Sequence, residues 1–127
     1  MEKFIYVGLG GFLGAVMRYS VGTLLFPIAE RWQFPLATLC VNCVGCFIMG
    51  IVATYFTTSS ENPNEMLRIF LMIGMLGAFT TYSAFSYETL LLAQQSRFAL
   101  GVLNAILHLV GGWLFVFLGM KACQSLY

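Results

Sequence analysis

Charge is scarce in this chain. Six Lys and Arg and five Asp and Glu are spread over 127 residues, so charged side chains make up 9% of the sequence against 60% hydrophobic ones. A soluble domain carries about 25% charge, and a chain this poor in it cannot build a water-facing shell. The gaps are long: no charged residue falls between Arg31 and Glu61, nor between Arg97 and Lys121. Each gap exceeds the ~20 residues that a helix needs to cross a bilayer. Other absences narrow the function. No run of basic residues is present, which argues against a nucleic-acid partner. Neither a Gly-rich phosphate loop nor a nucleophile–base pair is visible, so nothing points to an enzyme or to an organic cofactor. Three of the four cysteines, Cys40, Cys43 and Cys46, fall in one apolar stretch, which argues against a disulfide framework.

What the chain has in place of charge is four apolar stretches, at about 4–26, 34–57, 67–94 and 98–120. They predict an all-α integral membrane protein with a single transmembrane domain over residues 1–127 and the lipid bilayer as its surroundings. The first stretch is longer than a signal-peptide core and contains Arg18, so it reads as a retained helix. Expected loops are Pro27 to Pro35, Thr57 to Asn64, and Gln94 to Arg97. Ser59, Ser60 and Asn62 are candidate caps before the third helix, with Pro63 and Glu65 favoured in its first turn. Four crossings place Lys3, Arg68 and Lys121 on one side and Arg31 and Arg97 on the other. That is almost no bias. Lys and Arg asymmetry sets orientation, so insertion both ways, and with it an antiparallel homodimer, is the expectation.

The polar residues inside the spans carry the argument further. In the first helix Gly8, Gly11, Ala15, Arg18 and Gly22 form a stripe, with the pair Gly10 and Gly14 beside it. Small residues let helices approach closely in lipid, and Arg18 on that stripe must face protein or a wet vestibule. In the second helix Asn42 is either interhelical glue or an amide donor in an anion path. The thiols of Cys40, Cys43 and Cys46, all on one helix, cannot surround a tetrahedral ion and read as small packing residues. In the fourth helix Asn104 and His108 are one turn apart and can share a hydrogen bond; His108 is either a satisfied interior histidine or a proton relay.

The third stretch holds the densest polar run, from Gly77 to Ser86. Fully helical, 67–94 would extend roughly 42 Å against a hydrocarbon core of about 30 Å. Gly74 and Gly77, followed by the β-branched pair Thr80 and Thr81, mark an expected break. Broken backbone at membrane depth is tolerated only in protein or against a wet cavity. Its freed carbonyls suit a cation, and the restarted helix suits an anion. Past the break Tyr82 and Phe85 share one face and Ser83 and Ser86 the neighbouring one; the electropositive rims of the two rings can favour an anion. Glu88 is placed to neutralise Arg18 or to anchor the serines.

Three ordered motifs, from Gly10 to Tyr19, Thr38 to Asn42 and Gly74 to Ser86, resemble the CrcB/Fluc family of small fluoride channels. The resemblance runs the length of the chain. It implies passive fluoride export from a bacterial cell across the plasma or inner membrane, to relieve fluoride toxicity, through two pores in an antiparallel dual-topology dimer. A structural sodium ion would sit at its centre, held by the backbone carbonyls of Gly77 and Thr80 from both subunits. Asn42, Tyr82, Ser83, Phe85, Ser86 and Arg18 would line the fluoride path. Tyr82 stands where Phe is common in the family, Ala84 where Thr is common, and Gly112 where Ser is common. Part of the polar track is therefore missing, which leaves open a heterodimer with a homologous subunit. Two other readings remain: a small dual-topology multidrug cation/proton exporter, disfavoured because the first helix carries Arg18 rather than an acid, and a non-transporting membrane assembly subunit.

Overall fold

A computed structural model describes residues 1–58 and 64–126. Among them every regular element is helical: α1 (Glu2–Trp32), α2 (Leu36–Thr58), α3 (65–79), α4 (Tyr82–Gln94) and α5 (Phe98–Gln124). Four helical segments, Glu2–Trp32, Leu36–Thr58, Glu65–Gln94 and Phe98–Gln124, are long and apolar enough to cross a membrane, and the protein is a multi-pass, all-α membrane protein.

Each boundary has a local cause. α1 continues through Pro27 to Trp32, so most of the expected first loop is helical; proline is accommodated in transmembrane helices because neighbouring groups satisfy the carbonyl it frees. The helix ends at Gln33, which adopts the left-handed conformation with φ 49°. There the Gln33 and Phe34 N–H groups bond back to the carbonyls of Glu30 and Ala29, the paired pattern that closes many helices. Pro35 follows and α2 begins. At the start of α3 the Asn64 side chain accepts from the N–H groups of Met66 (3.1 Å) and Leu67 (3.2 Å). Asn64 is thus the cap; Ser59, Ser60, Asn62 and Pro63 lie outside the described residues, and Glu65 occupies the first turn as expected.

The four crossings alternate. Lys3 Nζ reaches Glu65 Oε1 at 2.7 Å, joining the beginning of α1 to that of α3. Arg97 Nη1 donates to the Gln33 carbonyl at 3.2 Å, joining the two turns at the other end. In between, α1 lies along α3, α2 along α5, and α4 along α5. The first contact depends on Gly10 and Gly14, where a side chain would run into the backbone of Phe70 and Met75. Small residues allow this approach, and dispersion over it holds the helices together in lipid. By contrast Gly8, Gly11 and Gly22 have nothing within 4 Å of where a Cβ would stand. The buried apolar residues are few, Val41, Phe56, Ile69, Leu76, Phe79, Phe85, Leu92 and Cys123, and large apolar side chains are exposed along α1 and α5.

The third crossing is interrupted, but not where its glycines stand. Residues Ile69–Leu76 wind as a π-helix, an uncommon arrangement that clusters at functional sites. Gly77 is helical at φ −62°, ψ −35°, and Gly74 faces the backbone of Val7 and Gly10. The chain leaves the helix at Thr80 (ψ 160°) and Thr81 (φ −150°, ψ 116°) and resumes it at Tyr82. β-branched residues suit extended backbone. The break therefore falls on the threonine pair, and Gly74 serves packing.

Candidate functional site

Two extended residues release backbone groups from the helical ladder, and neighbouring side chains take them up. The Thr81 N–H donates to Asn42 Oδ1 at 2.8 Å, and Asn42 Nδ2 donates to the Thr81 carbonyl at 3.0 Å. The α2 amide thus pairs with both backbone groups of one residue, as a neighbouring strand would. Thr81 Oγ1 then caps α4 by accepting from the Ala84 N–H at 3.3 Å, and it lies 3.2 Å from the Ser83 hydroxyl. Thr80 closes the other side, its hydroxyl donating to the Leu76 carbonyl at 3.0 Å. Since the Thr81 N–H is engaged with Asn42, the Gly77 carbonyl loses its helical donor. Arg18 Nη1 stands 3.5 Å from the Thr80 carbonyl.

The break separates two cavities. One, of 270 Å³, is lined by Asn42, Thr80, Thr81, Tyr82, Phe85 and His108, together with Gly45, Cys46, Met49, Leu109 and Val116. The other, of 330 Å³, is lined by Arg18, Gly22, Ala37, Thr38, Val41, Thr81, Ser83 and Ala84. Thr81 borders both. In the first, the rings of Tyr82 and Phe85 lie 5.5 Å apart at 59°, and His108 packs on Phe85 at 4.4 Å. The second holds Thr38, Ser83 and the Arg18 guanidinium.

The residues singled out from sequence are therefore brought together in two groups. Asn42, Tyr82 and Phe85 share the ring-lined cavity, and Arg18 and Ser83 the polar one. Ser86 is half-buried and lines neither. Glu88 does not meet Arg18 or the serines: its Oε1 accepts from the Thr38 hydroxyl at 2.7 Å, and Oε2 is buried without a partner among the described residues. Helix geometry explains this, since Glu88 lies six residues beyond Tyr82 on α4, well past the break that Arg18 faces. Asn104 and His108 do meet, but through the Asn104 carbonyl, 3.0 Å from His108 Nδ1. The fully buried Asn104 side chain donates instead to Thr89 Oγ1 at 2.9 Å. Thr81 and Thr38 had not been assigned to the site; both lie inside the motifs that identified it. The cysteines are unpaired, and the sulfurs of Cys43 and Cys46 stand 3.4 and 3.7 Å from the Cβ positions of Gly111 and Gly112, as packing residues would. No group of three or more His, Cys, Asp or Glu placed to hold a metal occurs among the described residues.

The arrangement offers hydrogen-bond donors and ring edges lining two cavities on either side of the break, and separately a carbonyl or two released at the end of a half-helix. The first suits an anion, the second a hard cation with oxygen ligands. Comparison with known proteins bears on the choice. A family described as CrcB-like protein, Camphor Resistance (CrcB), matches residues 5–120. A protein named fluoride-specific ion channel FluC, from Elusimicrobium minutum, is 41% identical over 124 residues, 98% of this chain and 95% of that one. One of the same name from Shewanella piezotolerans is 39% identical over 128 residues, the whole of both chains. A third, from Prosthecochloris aestuarii, is 40% identical over 126 residues, 97% of this chain and 96% of that one.

Proposed function

The chain belongs to the CrcB family, and from that premise we propose that it is a passive, fluoride-selective channel that lets fluoride leave a bacterial cell across its inner membrane. Its relatives carry the name of fluoride-specific channels over nearly their whole length. The observation that carries the reading to these residues is the Asn42–Thr81 clamp, which holds the break open between the Tyr82–Phe85 pair and Arg18.

Fluoride is small and gives up water reluctantly, so a selective path must supply donors at close range in a low dielectric. Asn42 Nδ2 has a second proton beyond the one given to Thr81. The rims of Tyr82 and Phe85 add weak positive edges, and on the other side of the break the Ser83 hydroxyl offers a further donor beside Arg18. Arg18, without a carboxylate partner among the described residues, raises the local concentration of anions. No energy input is required: a negative interior favours anion exit by about 2.3 kcal/mol per 100 mV.

Two such chains in antiparallel orientation form the conducting unit, with one path per chain. The unpartnered small-residue face of Gly8, Gly11 and Gly22 and the exposed apolar length of α1 support a helix-packed second copy. The near-absence of Lys and Arg bias supports its inverted insertion. A structural sodium ion fits the donor set at the break. Gly77 offers a carbonyl released from the helix and Thr80 a carbonyl in extended backbone whose one hydrogen bond among the described residues is the long one from Arg18. Two neutral oxygens per chain are too few for such an ion, and a second copy doubles them. When bound, the ion would neutralise the gathered carbonyl dipoles and fix the interface.

The test is reconstitution of the chain alone in liposomes loaded with fluoride or chloride, with efflux followed by ion-selective electrodes after valinomycin. Fast fluoride release without chloride release is expected. Equal release of both ions from folded protein would overturn the selectivity, and release of neither would overturn the self-sufficient homodimer, with co-expression of a homologue deciding whether a second subunit is required.

A further inference from the structure

The ring-lined cavity contains a residue to which the reading above gives no role. His108 packs its ring on Phe85 with centroids 4.4 Å apart and planes 32° from parallel, and it borders the same space as Asn42 and Tyr82. Its Nδ1 lies 3.0 Å from the Asn104 carbonyl. A carbonyl has no proton to give, so Nδ1 carries the proton and, in the neutral ring, Nε2 is left with a bare lone pair. Nε2 is buried and has no hydrogen-bond partner among the described residues. The Asn104 carbonyl thus favours the Nδ1–H tautomer, the Thr38 backbone of α2 also lies close to the ring, and Nε2 is the nitrogen left to bind a second proton.

We propose that His108 is a proton-dependent anion-recognition residue of the fluoride path, admitting fluoride readily when Nε2 is protonated and poorly when it is not. The inference rests on the channel reading above. A lone pair beside the path repels an anion, whereas an imidazolium supplies an N–H donor and a full charge in a low-dielectric site. The Phe85 face against the ring tolerates that charge through its quadrupole. The ionisable groups facing His108 are few. α2 presents the thiols of Cys43 and Cys46, and α4 the Tyr82 hydroxyl. The Glu88 carboxyl, farther along α4, is bonded to Thr38, and Arg18 of α1 stands on the opposite side of the break. No carboxylate contacts the ring among the described residues. The counter-charge that the imidazolium lacks in the protein is the anion itself, so proton and fluoride must raise each other's affinity.

The chain contains one histidine, so ¹⁵N-histidine labelling reports on this ring alone. Titration of the purified full chain, followed by imidazole ¹⁵N resonances with sodium fluoride or with sodium gluconate, is expected to show Nδ1 protonated throughout and Nε2 titrating. Fluoride should raise the apparent proton affinity about fivefold or more, the usual lower range of such couplings. A midpoint that fluoride leaves unmoved would overturn the proposal. Liposome efflux, corrected for protein-free leak, adds a second readout: wild-type fluoride release should rise as the pH falls through the midpoint read in the ¹⁵N titration, and His108→Gln, which cannot titrate, should show a flat profile. Matching pH profiles for the two proteins would also overturn it. A fluoride-dependent midpoint in a chain that releases no fluoride would uphold the inference as anion recognition and remove the conduction on which the channel reading depends.

Discussion

Asn42 holds Thr81 by both its backbone N–H and its carbonyl, and this gives one side chain two duties that substitutions can separate. Asn42→Ala strands a backbone donor and a backbone acceptor in the interior. Leaving such a group unpaired costs about 1–3 kcal/mol, so the variant should unfold at lower temperature and release fluoride at least about tenfold more slowly, a factor equal to about 1.4 kcal/mol. Asn42→Asp keeps an acceptor for the Thr81 N–H but turns a donor into a negative charge beside the anion route. It should therefore retain more of the thermal stability than alanine while conducting less. Size-exclusion thermal melts and electrode efflux on both variants check the pair of outcomes; an aspartate variant that conducts as well as wild type would show that Asn42 acts on the backbone alone. Thr81 is a second residue-scale case, because its hydroxyl caps α4 at the Ala84 N–H. Thr81→Val preserves shape and removes the cap, with an expected stability loss of about 1 kcal/mol, read as a lower melting temperature.

The elements differ in how far their sequences announced them. α2 and α5 were legible because an uncharged apolar run longer than a bilayer crossing has few other structures available. The break in the third crossing was legible in kind, since 67–94 is too long for one straight span. Its position was legible only to within the stretch from Gly74 to Thr81, because glycine propensity and β-branching both mark weak helix; the structure places the break on Thr80 and Thr81 and packs Gly74 against Val7 and Gly10. The π-helical winding of Ile69–Leu76 leaves no composition signal at all. Glu88 illustrates the same limit in the site: a lone acid on α4 fits several partners, and its bond to Thr38 of α2 depends on how α2 and α4 lie relative to each other. Helix packing also separates two classes of glycine that look alike in sequence. A side chain at Gly14 would meet the Met75 backbone, whereas Gly11 opens on free space within one chain. Gly14→Leu should therefore abolish recovery of folded protein. Gly11→Leu should leave the helical content of the single chain unchanged and weaken self-association by more than about 1 kcal/mol if that face meets a second copy in lipid. Circular dichroism and crosslinking of both variants distinguish the two; normal dimer yield from Gly11→Leu would place the partner on another face.

At the scale of the whole molecule the decisive quantity is a balance rather than a contact. Lys3, Arg68 and Lys121 oppose Arg31 and Arg97, and each end of the bundle is fastened by its own tie, Lys3 to Glu65 and Arg97 to Gln33. The fold is thus equally secure either way up, and orientation is left to a difference of about one charge. Short loops near the membrane ends are where Lys and Arg weigh most in that choice. Gln94 and Gln95 are exposed at the end of α4, so Gln94→Lys with Gln95→Lys should bias every chain to put that turn in the cytoplasm. Ser125→Lys with Gln124→Lys, at the exposed end of α5, should bias it the opposite way. Neither double variant touches a cavity-lining residue of the break. If the working unit is an antiparallel pair, each expressed alone should lose most fluoride release from cells, because its inverted partner is no longer made, and the two co-expressed should restore it. Labelling of an introduced exposed cysteine from either side of the membrane would confirm that the orientations had been fixed. Full release from a single fixed orientation would rule out the antiparallel pair while leaving the site chemistry at the break untouched, since that chemistry is built within one chain.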